Sequence, residues 1–194
     1  VEATFGLPVF RFPDVETLRA SLVDEARRAL EAGVTPVFLA YALGKGPEVA
    51  KLLGEAGVPS ALHGAVWKMT EVYREFGVSF PGCEPYEKGA VKGKALVVPP
   101  SFRGHPMVTA LKARRLVLAS GWALLDASYD RFDADRLVPL SDHADWDELL
   151  RIVELSGARR VYTTHGFAST LAHVLQARGL DAAPLPVFTG EEEE

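Results

Sequence analysis

Pro139-Leu140-Ser141-Asp142-His143-Ala144-Asp145-Trp146 and, further along, Thr163-Thr164-His165-Gly166 are the stretches that decide how this chain is read. Each histidine directly follows an apolar, strand-like run, residues 136–140 before His143 and 160–162 before His165. Between them Trp146, Leu149, Leu150 and Val153 recur at helical spacing, and Gly157 stands where a helix stop is expected. The pattern predicts a strand–helix–strand unit with parallel strands. Both imidazoles would then emerge at the C-terminal edge of one sheet, where open α/β sheets carry their chemistry. The competing reading is two unrelated loop histidines.

Working outward, strand-like and helix-like stretches alternate along the whole chain. Asp14 is placed to cap a helix running to residue 32, with Leu18, Leu22, Ala26 and Leu30 on one face. Residues 34–43, 94–98 and 115–119 read as buried strands, and 58–62 as a short one. Further helices are expected from Pro47 to about residue 56 and over 65–76, 107–113 and 168–177. Residues 80–93 hold three Gly and two Pro and read as a loop. Residues 126–135 read as charged and irregular, the best candidate for a module boundary, and the chain after residue 177 as a Pro-broken tail. Alternation of this kind predicts an α/β protein, a mainly parallel sheet flanked by helices.

The chain has 194 residues, 48% of them hydrophobic, enough for one sizeable core or two small ones. Its single cysteine, Cys83, excludes an intrachain disulfide and suits a reducing compartment, which points to the cytoplasm. No apolar run approaches the roughly 18 residues that span a bilayer, and no signal-peptide pattern opens the chain, so no membrane partner is expected. The net charge of −5 argues against gripping nucleic acid by charge alone. Residues 191–194, all Glu, read as a disordered acidic tail. Opening on Val1 in a strand-like segment, the sequence is expected to be a piece of a longer protein.

Other constellations are weaker. Gly44-Lys45-Gly46 lies between a strand and a helix but lacks the spacing of a phosphate loop or a dinucleotide fingerprint. Lys45 beside a helix N-terminus can reach a phosphate of a bound strand; a tight turn with a solvated lysine is the plainer reading. Arg103, in the Ser101-Phe102-Arg103-Gly104 loop before His105, is a second candidate for a substrate phosphate, against the default of a surface arginine. His63 reads as a cap or core residue and His173 as structural. No histidine pair has zinc-finger spacing, and Cys83 has no cysteine partner. Glu2 matters only if its strand ends near His143, where a carboxylate can orient an imidazole.

Taken together, several segments resemble the β-CASP branch of the metallo-β-lactamase nucleases. Val1-Glu2-Ala3-Thr4-Phe5-Gly6 is similar to that family's Glu-Ser-Thr-Tyr-Gly signature, whose Glu is motif A. Ser141-Asp142-His143-Ala144-Asp145 is similar to its Ser-x-His-x-Asp segment, whose His is motif B, and Thr164-His165-Gly166 matches motif C. Tyr41-Ala42-Leu43-Gly44-Lys45 resembles the Phe-Ala-Leu-Gly-Arg stretch after the first β-CASP strand. Residues 5–10, His63-Gly64-Ala65, Ser120-Gly121-Trp122 and residues 141–146 resemble the bacterial ligase-associated DNA exonucleases.

The resemblance implies a β-CASP domain over residues 10–122. It implies the C-terminal part of a metallo-β-lactamase αββα domain over 123–190, with residues 1–9 ending the first part of that domain and 191–194 as the tail. It implies a zinc-dependent phosphodiesterase, an exonuclease acting on DNA, with two zinc ions in the complete protein. His165 would be a zinc ligand, His143 the general acid at the leaving oxygen, and Glu2 the group that hydrogen-bonds and orients His143. A DNA ligase or a helicase is the implied partner. The family's His-x-His-x-Asp-His motif and its other main metal ligands precede motif A and are not in this sequence. This chain alone is therefore expected to be inactive and to bind no metal tightly. Two alternatives stand beside this reading: an RNA-processing nuclease of the same superfamily, and a non-catalytic scaffold or partner-binding module.

Overall fold

The structure, a computed structural model, describes residues 1–186. The acidic tail and the last residues of the 123–190 stretch lie outside the described residues. The chain divides into two compact units: Phe12–Asp142, and Val1–Arg11 together with the stretch from His143 onward.

The Phe12–Asp142 unit is built from α1 (Val15–Glu31), β1 (Thr35–Leu39), α2 (Lys45–Glu55), β2 (Ser60–Leu62), α3 (Gly64–Glu75), β3 (Cys83–Pro85), β4 (Ala95–Val98), α4 (Pro106–Thr109), β5 (Arg114–Ala119), α5 (Ala127–Phe132) and β6 (Arg136–Val138). Its six strands form one sheet in the order β3-β2-β4-β1-β5-β6, and every pairing is parallel. β1, β4 and β5 read as continuous apolar runs because both of their faces are covered. Phe38, Val97, Val117 and Val138 pack with Leu22, Ala26, Val49, Leu53 and Val66 of α1, α2 and α3. Val37, Leu39, Leu96, Val98 and Leu118 face the opposite layer with Val108 and Phe132. Asp14 caps α1 as expected, its carboxylate accepting from Thr17 N at 2.9 Å.

The second unit contains α6 (Trp146–Ser156), β7 (Arg160–Thr163), α7 (Ala168–Ala177) and β8 (Asp181–Pro184). β7 and β8 pair in parallel, and Glu2 adds a parallel bridge to Thr164 just past β7. Trp146, Leu149 and Val153 of α6 close one core with Val161, Leu171, Leu175, Ala182 and Ala3. Asp145 and Glu148 complete a capping box that starts α6.

Four expectations from sequence need correction. β6 and β7 are not partners in one strand–helix–strand unit: β6 pairs with β5 in the large sheet, and β7 with β8 in the small one. Periodicity shows that a strand exists but not which apolar edge it fills, and the open edge beside β5 takes β6. The 80–93 loop contains β3, whose three residues extend the sheet beyond β2. The irregular 126–135 stretch contains the one-and-a-half-turn helix α5, closed by Asp133 in the left-handed conformation. The Pro-broken tail contains β8; as an edge strand ending on Pro184 it tolerates a residue without an N–H. Among the described residues no helix is long and apolar enough to cross a membrane.

Glu25, on α1, is a buried acid that periodicity does not single out. Its carboxylate meets Arg115 of β5 at 2.8 Å, Arg28 at 3.6 Å and Arg136 of β6 at 3.8 Å, so it ties the first helix to the last two strands of the sheet. The arginines remain partly in solvent, which keeps the contribution below the 3–5 kcal/mol of a fully buried pair. Glu25→Ala is expected to destabilise the chain by about 1–3 kcal/mol, read as a lower urea midpoint, while Glu31→Ala at the exposed end of the same helix changes little.

Candidate functional site

The first eleven residues bring the site together. Ala3 N donates to Thr164 O at 2.8 Å and Thr164 N to Val1 O at 3.0 Å, which fixes Glu2 beside the end of β7. At its other end the same segment meets the start of α6, where Trp146 N donates to Phe10 O at 2.8 Å and Arg11 pairs with Asp147 at 2.7 Å. Glu2 and His143, far apart in sequence, are thereby neighbours: His143 Nδ1 lies 3.1 Å from Glu2 Oε1. Phe5 stands edge-on beneath the His143 ring at a centroid distance of 5.9 Å.

The other carboxylate oxygen of Glu2 accepts from Thr4 N at 2.9 Å and from the Thr4 hydroxyl at 2.6 Å. Burial is the largest single influence on this carboxyl and opposes its ionisation. The two Thr4 bonds and His143 together outweigh it, so the pKa of Glu2 lies below the ordinary Glu value. Glu2 is therefore a held carboxylate with one oxygen committed to its own backbone turn and the other to His143.

His165 lies one residue past the Glu2 bridge, in the left-handed conformation at φ 59°. Such a conformation is uncommon for a non-glycine residue and collects at functional sites. Its neighbour explains how it is held. Gly166 has φ 49°, and a Cβ there would stand 2.4 Å from Thr4 Cα and 2.5 Å from Ala3 O. Only glycine lets the turn close on the Glu2 strand, where Phe167 N then donates to Ala3 O at 2.8 Å. His165 Nδ1 lies 3.2 Å from the Thr164 hydroxyl, a contact that orients the ring.

The three residues read from sequence as catalytic or metal-binding, Glu2, His143 and His165, thus share one unit and are linked through the Glu2 strand. The two candidates for substrate phosphate, Lys45 and Arg103, belong to the Phe12–Asp142 unit. Arg103 is exposed after β4 and bonds Pro100 O at 3.5 Å. Lys45 is not the solvated lysine of the plainer reading: it is 3% exposed and its ammonium is paired with Glu48 and Asp142. Lys45 and Arg19 hold Glu48 below the ordinary Glu pKa against its burial, which is the largest single influence. His63 caps α3 by accepting from Ala65 N at 3.1 Å, and His105 caps α4 by accepting from Met107 N at 3.2 Å. The roles of Thr4 and Gly166 escaped the sequence reading, because both depend on a strand pairing between residues 2 and 164.

Among the described residues no three or more His, Cys, Asp or Glu side chains gather where they could hold a metal ion.

No protein-family model matches the chain. It is similar to a protein of Opitutus terrae named "Probable DNA ligase", with 35% identity over 182 residues. That match takes in 94% of this chain but 18% of the relative, so the chain spans less than a fifth of the length of the curated protein it matches.

The lowered pKa of Glu2 sets a pH dependence. Its contribution to stability is complete above the ordinary Glu pKa and is lost as pH falls through the lowered folded-state value. Glu2→Gln should be less stable than the parent at neutral pH and lose less stability on acidification, measured as urea midpoints along a pH series. Parallel midpoint curves for the two proteins would show that the Glu2 contacts carry no linkage.

Proposed function

We propose that this chain is the part of a DNA-cleaving phosphodiesterase of the metallo-β-lactamase/β-CASP kind that supplies its general acid and one metal ligand. The observation that carries the proposal is the Glu2–His143 pair at 3.1 Å, held by Thr4 and joined through one strand to the left-handed His165. An imidazole oriented by a fixed carboxylate is suited to protonating a leaving oxygen. Glu2 holds His143 by Nδ1, so proton transfer is assigned to Nε2, the opposite ring nitrogen. His165 lends one nitrogen to a zinc centre whose remaining donors come from outside the described residues. Metal ions at such a site would supply an activated water and charge neutralisation at the phosphate.

DNA rather than RNA is favoured as substrate because a segment similar to this chain lies within a protein named for DNA ligation. The same similarity makes a DNA ligase the favoured partner and the cytoplasm, where that chemistry takes place, the favoured location. The −5 net charge fits a division of labour in which this segment supplies chemistry and other surfaces grip the strand.

The purified 194-residue chain should bind zinc weakly at most and leave an end-labelled DNA strand intact; metal-dependent turnover by the chain alone would overturn this reading. In a polypeptide that adds the missing donors, the two histidines should fail differently. His143→Ala should keep the zinc content and lower the cleavage rate by roughly 10²–10⁴-fold, with Glu2→Gln a milder version of the same loss. His165→Ala should lower zinc content per chain and, because metal binding is coupled to folding, stability as well. If His143→Ala strips the metal while His165→Ala keeps it, the two roles are exchanged.

A further inference from the structure

The charge of this chain is not spread evenly. Residues 86–115 hold seven of its 21 Lys and Arg but one of its 26 acidic residues, Glu87. An acidic chain thus contains one basic stretch, and such asymmetry marks an anionic partner. Two of the seven cations are committed inside the unit, Lys94 to Glu84 and Arg115 to Glu25. The other five, Lys88, Lys92, Arg103, Lys112 and Arg114, are exposed, and among the described residues none of them pairs with a carboxylate.

The same stretch encloses a cavity of about 600 Å³, wholly within the Phe12–Asp142 unit. One wall is the loop after β3, with Tyr86, Lys88 and Val91; the other is α4 and its flanks, with His105, Met107 and Leu111. The walls follow the C-terminal ends of β3 and β4, and open α/β sheets place ligands at such ends. Tyr86 N donates to Leu62 O at 2.8 Å, which anchors the first wall to the end of β2. Val91, Met107 and Leu111 make the interior apolar. His105 accepts from Met107 N through Nδ1, so its neutral ring carries the proton on Nε2, a donor. Apolar walls of this size with a few polar groups are the properties of a small-ligand site.

We propose that the cavity holds one unpaired nucleotide of a DNA strand, its base against Tyr86 and the apolar walls and its flanking phosphates on Lys88, Lys112 and Arg114. Arg114 is tied to the second wall, donating to Thr109 O at 3.4 Å and to Leu111 O at 3.2 Å, and Lys112 directly follows Leu111. Charge therefore comes from both walls, with carbon between them. A free nucleotide carries its charge at one end, whereas a nucleotide within a strand has a phosphate on either side. The site holds a single nucleotide and leaves the longer grip to other surfaces, in keeping with the net charge of −5. That the strand is DNA rests on the phosphodiesterase reading above; the cavity itself uses none of Glu2, His143 or His165.

The chain has two methionines, Met69 on α3 and Met107 in the cavity, so ¹³C-methyl labelling of the whole 194-residue chain gives two signals. The Met107 signal, assigned by Met69→Leu, should shift and saturate with a short oligothymidylate strand while Met69 stays in place. A blunt duplex, which offers no unpaired base, should leave Met107 unmoved. Thymidine monophosphate, with one phosphate, should need at least about tenfold more ligand. Tyr86→Ala should weaken strand binding roughly 5–150-fold, the range for one base stacked on an aromatic ring, and Tyr86→Phe should bind like the parent. Lys88→Ala combined with Lys112→Ala should weaken binding and flatten its salt dependence, and Lys68→Ala on α3 should do neither. Lys88 and Lys112 are exposed, so their joint variant tests the site even where Tyr86→Ala unfolds. A Met107 signal indifferent to the strand would overturn the proposal. So would an equal response to the duplex, which means charge alone, or to the mononucleotide, which means a free-nucleotide site. Displacement of the strand by an equal concentration of an acidic, Phe-containing peptide would overturn it in favour of a protein partner. If the strand moves Met107 while the longer polypeptide cleaves no DNA, the nucleotide site holds and the phosphodiesterase reading fails. If cleavage is as stated and Met107 stays still, the nucleotide site alone fails.

Discussion

A parallel sheet has to be covered on both faces, and most of the Phe12–Asp142 unit follows from that constraint. Parallel strands are joined by crossovers that lie on the sheet, so each apolar strand arrives with the helix that buries it. β1 sits between β4 and β5, with Phe38 turned to one helical layer and Val37 and Leu39 to the other. With both faces covered, polar groups are left to the ends of the strands. The Gly44–Gly46 turn, the His63 and His105 caps and the Asp142 carboxylate are all found there.

The other unit depends on a much smaller interaction. One parallel bridge, Glu2 to Thr164, lets a short N-terminal segment act as a strand beside β7. Two backbone bonds and a glycine that admits no side chain hold it. From that bridge follow the position of Glu2, the closing of the His165 turn and the meeting of Glu2 with His143. Thr4 completes the arrangement by taking the carboxylate oxygen that His143 does not, so the acid is committed on both sides.

The two units treat carboxylates alike. Glu2 is bound by Thr4 and His143, Asp142 by Lys45, and Glu25 by three arginines. In each case a carboxylate fixes one stretch of the chain against another, and for Glu25 nothing in the sequence pattern marks it. An acidic chain of this kind commits several of its negative charges to internal ties.

The sequence by itself determined the class of fold and the order of most of its strands and helices, and it named Glu2, His143 and His165 as candidates for a site. Alternating apolar runs and helical spacing are local properties, and so are the caps at Asp14 and Asp145 and the stop at Gly157. Glu2, His143 and His165 were legible as a set because their order along the chain resembles a known pattern, not because anything local links them. Tertiary structure alone decided which edges the strands fill. β6 joins β5 and β7 joins β8, because pairing is settled by which apolar edge is open and near, and neither is written in the spacing of a single segment. Tertiary structure also decided that Lys45 is buried. A Gly-Lys-Gly turn is suited to any anion, and only the return of the chain at Asp142 shows that the anion is its own.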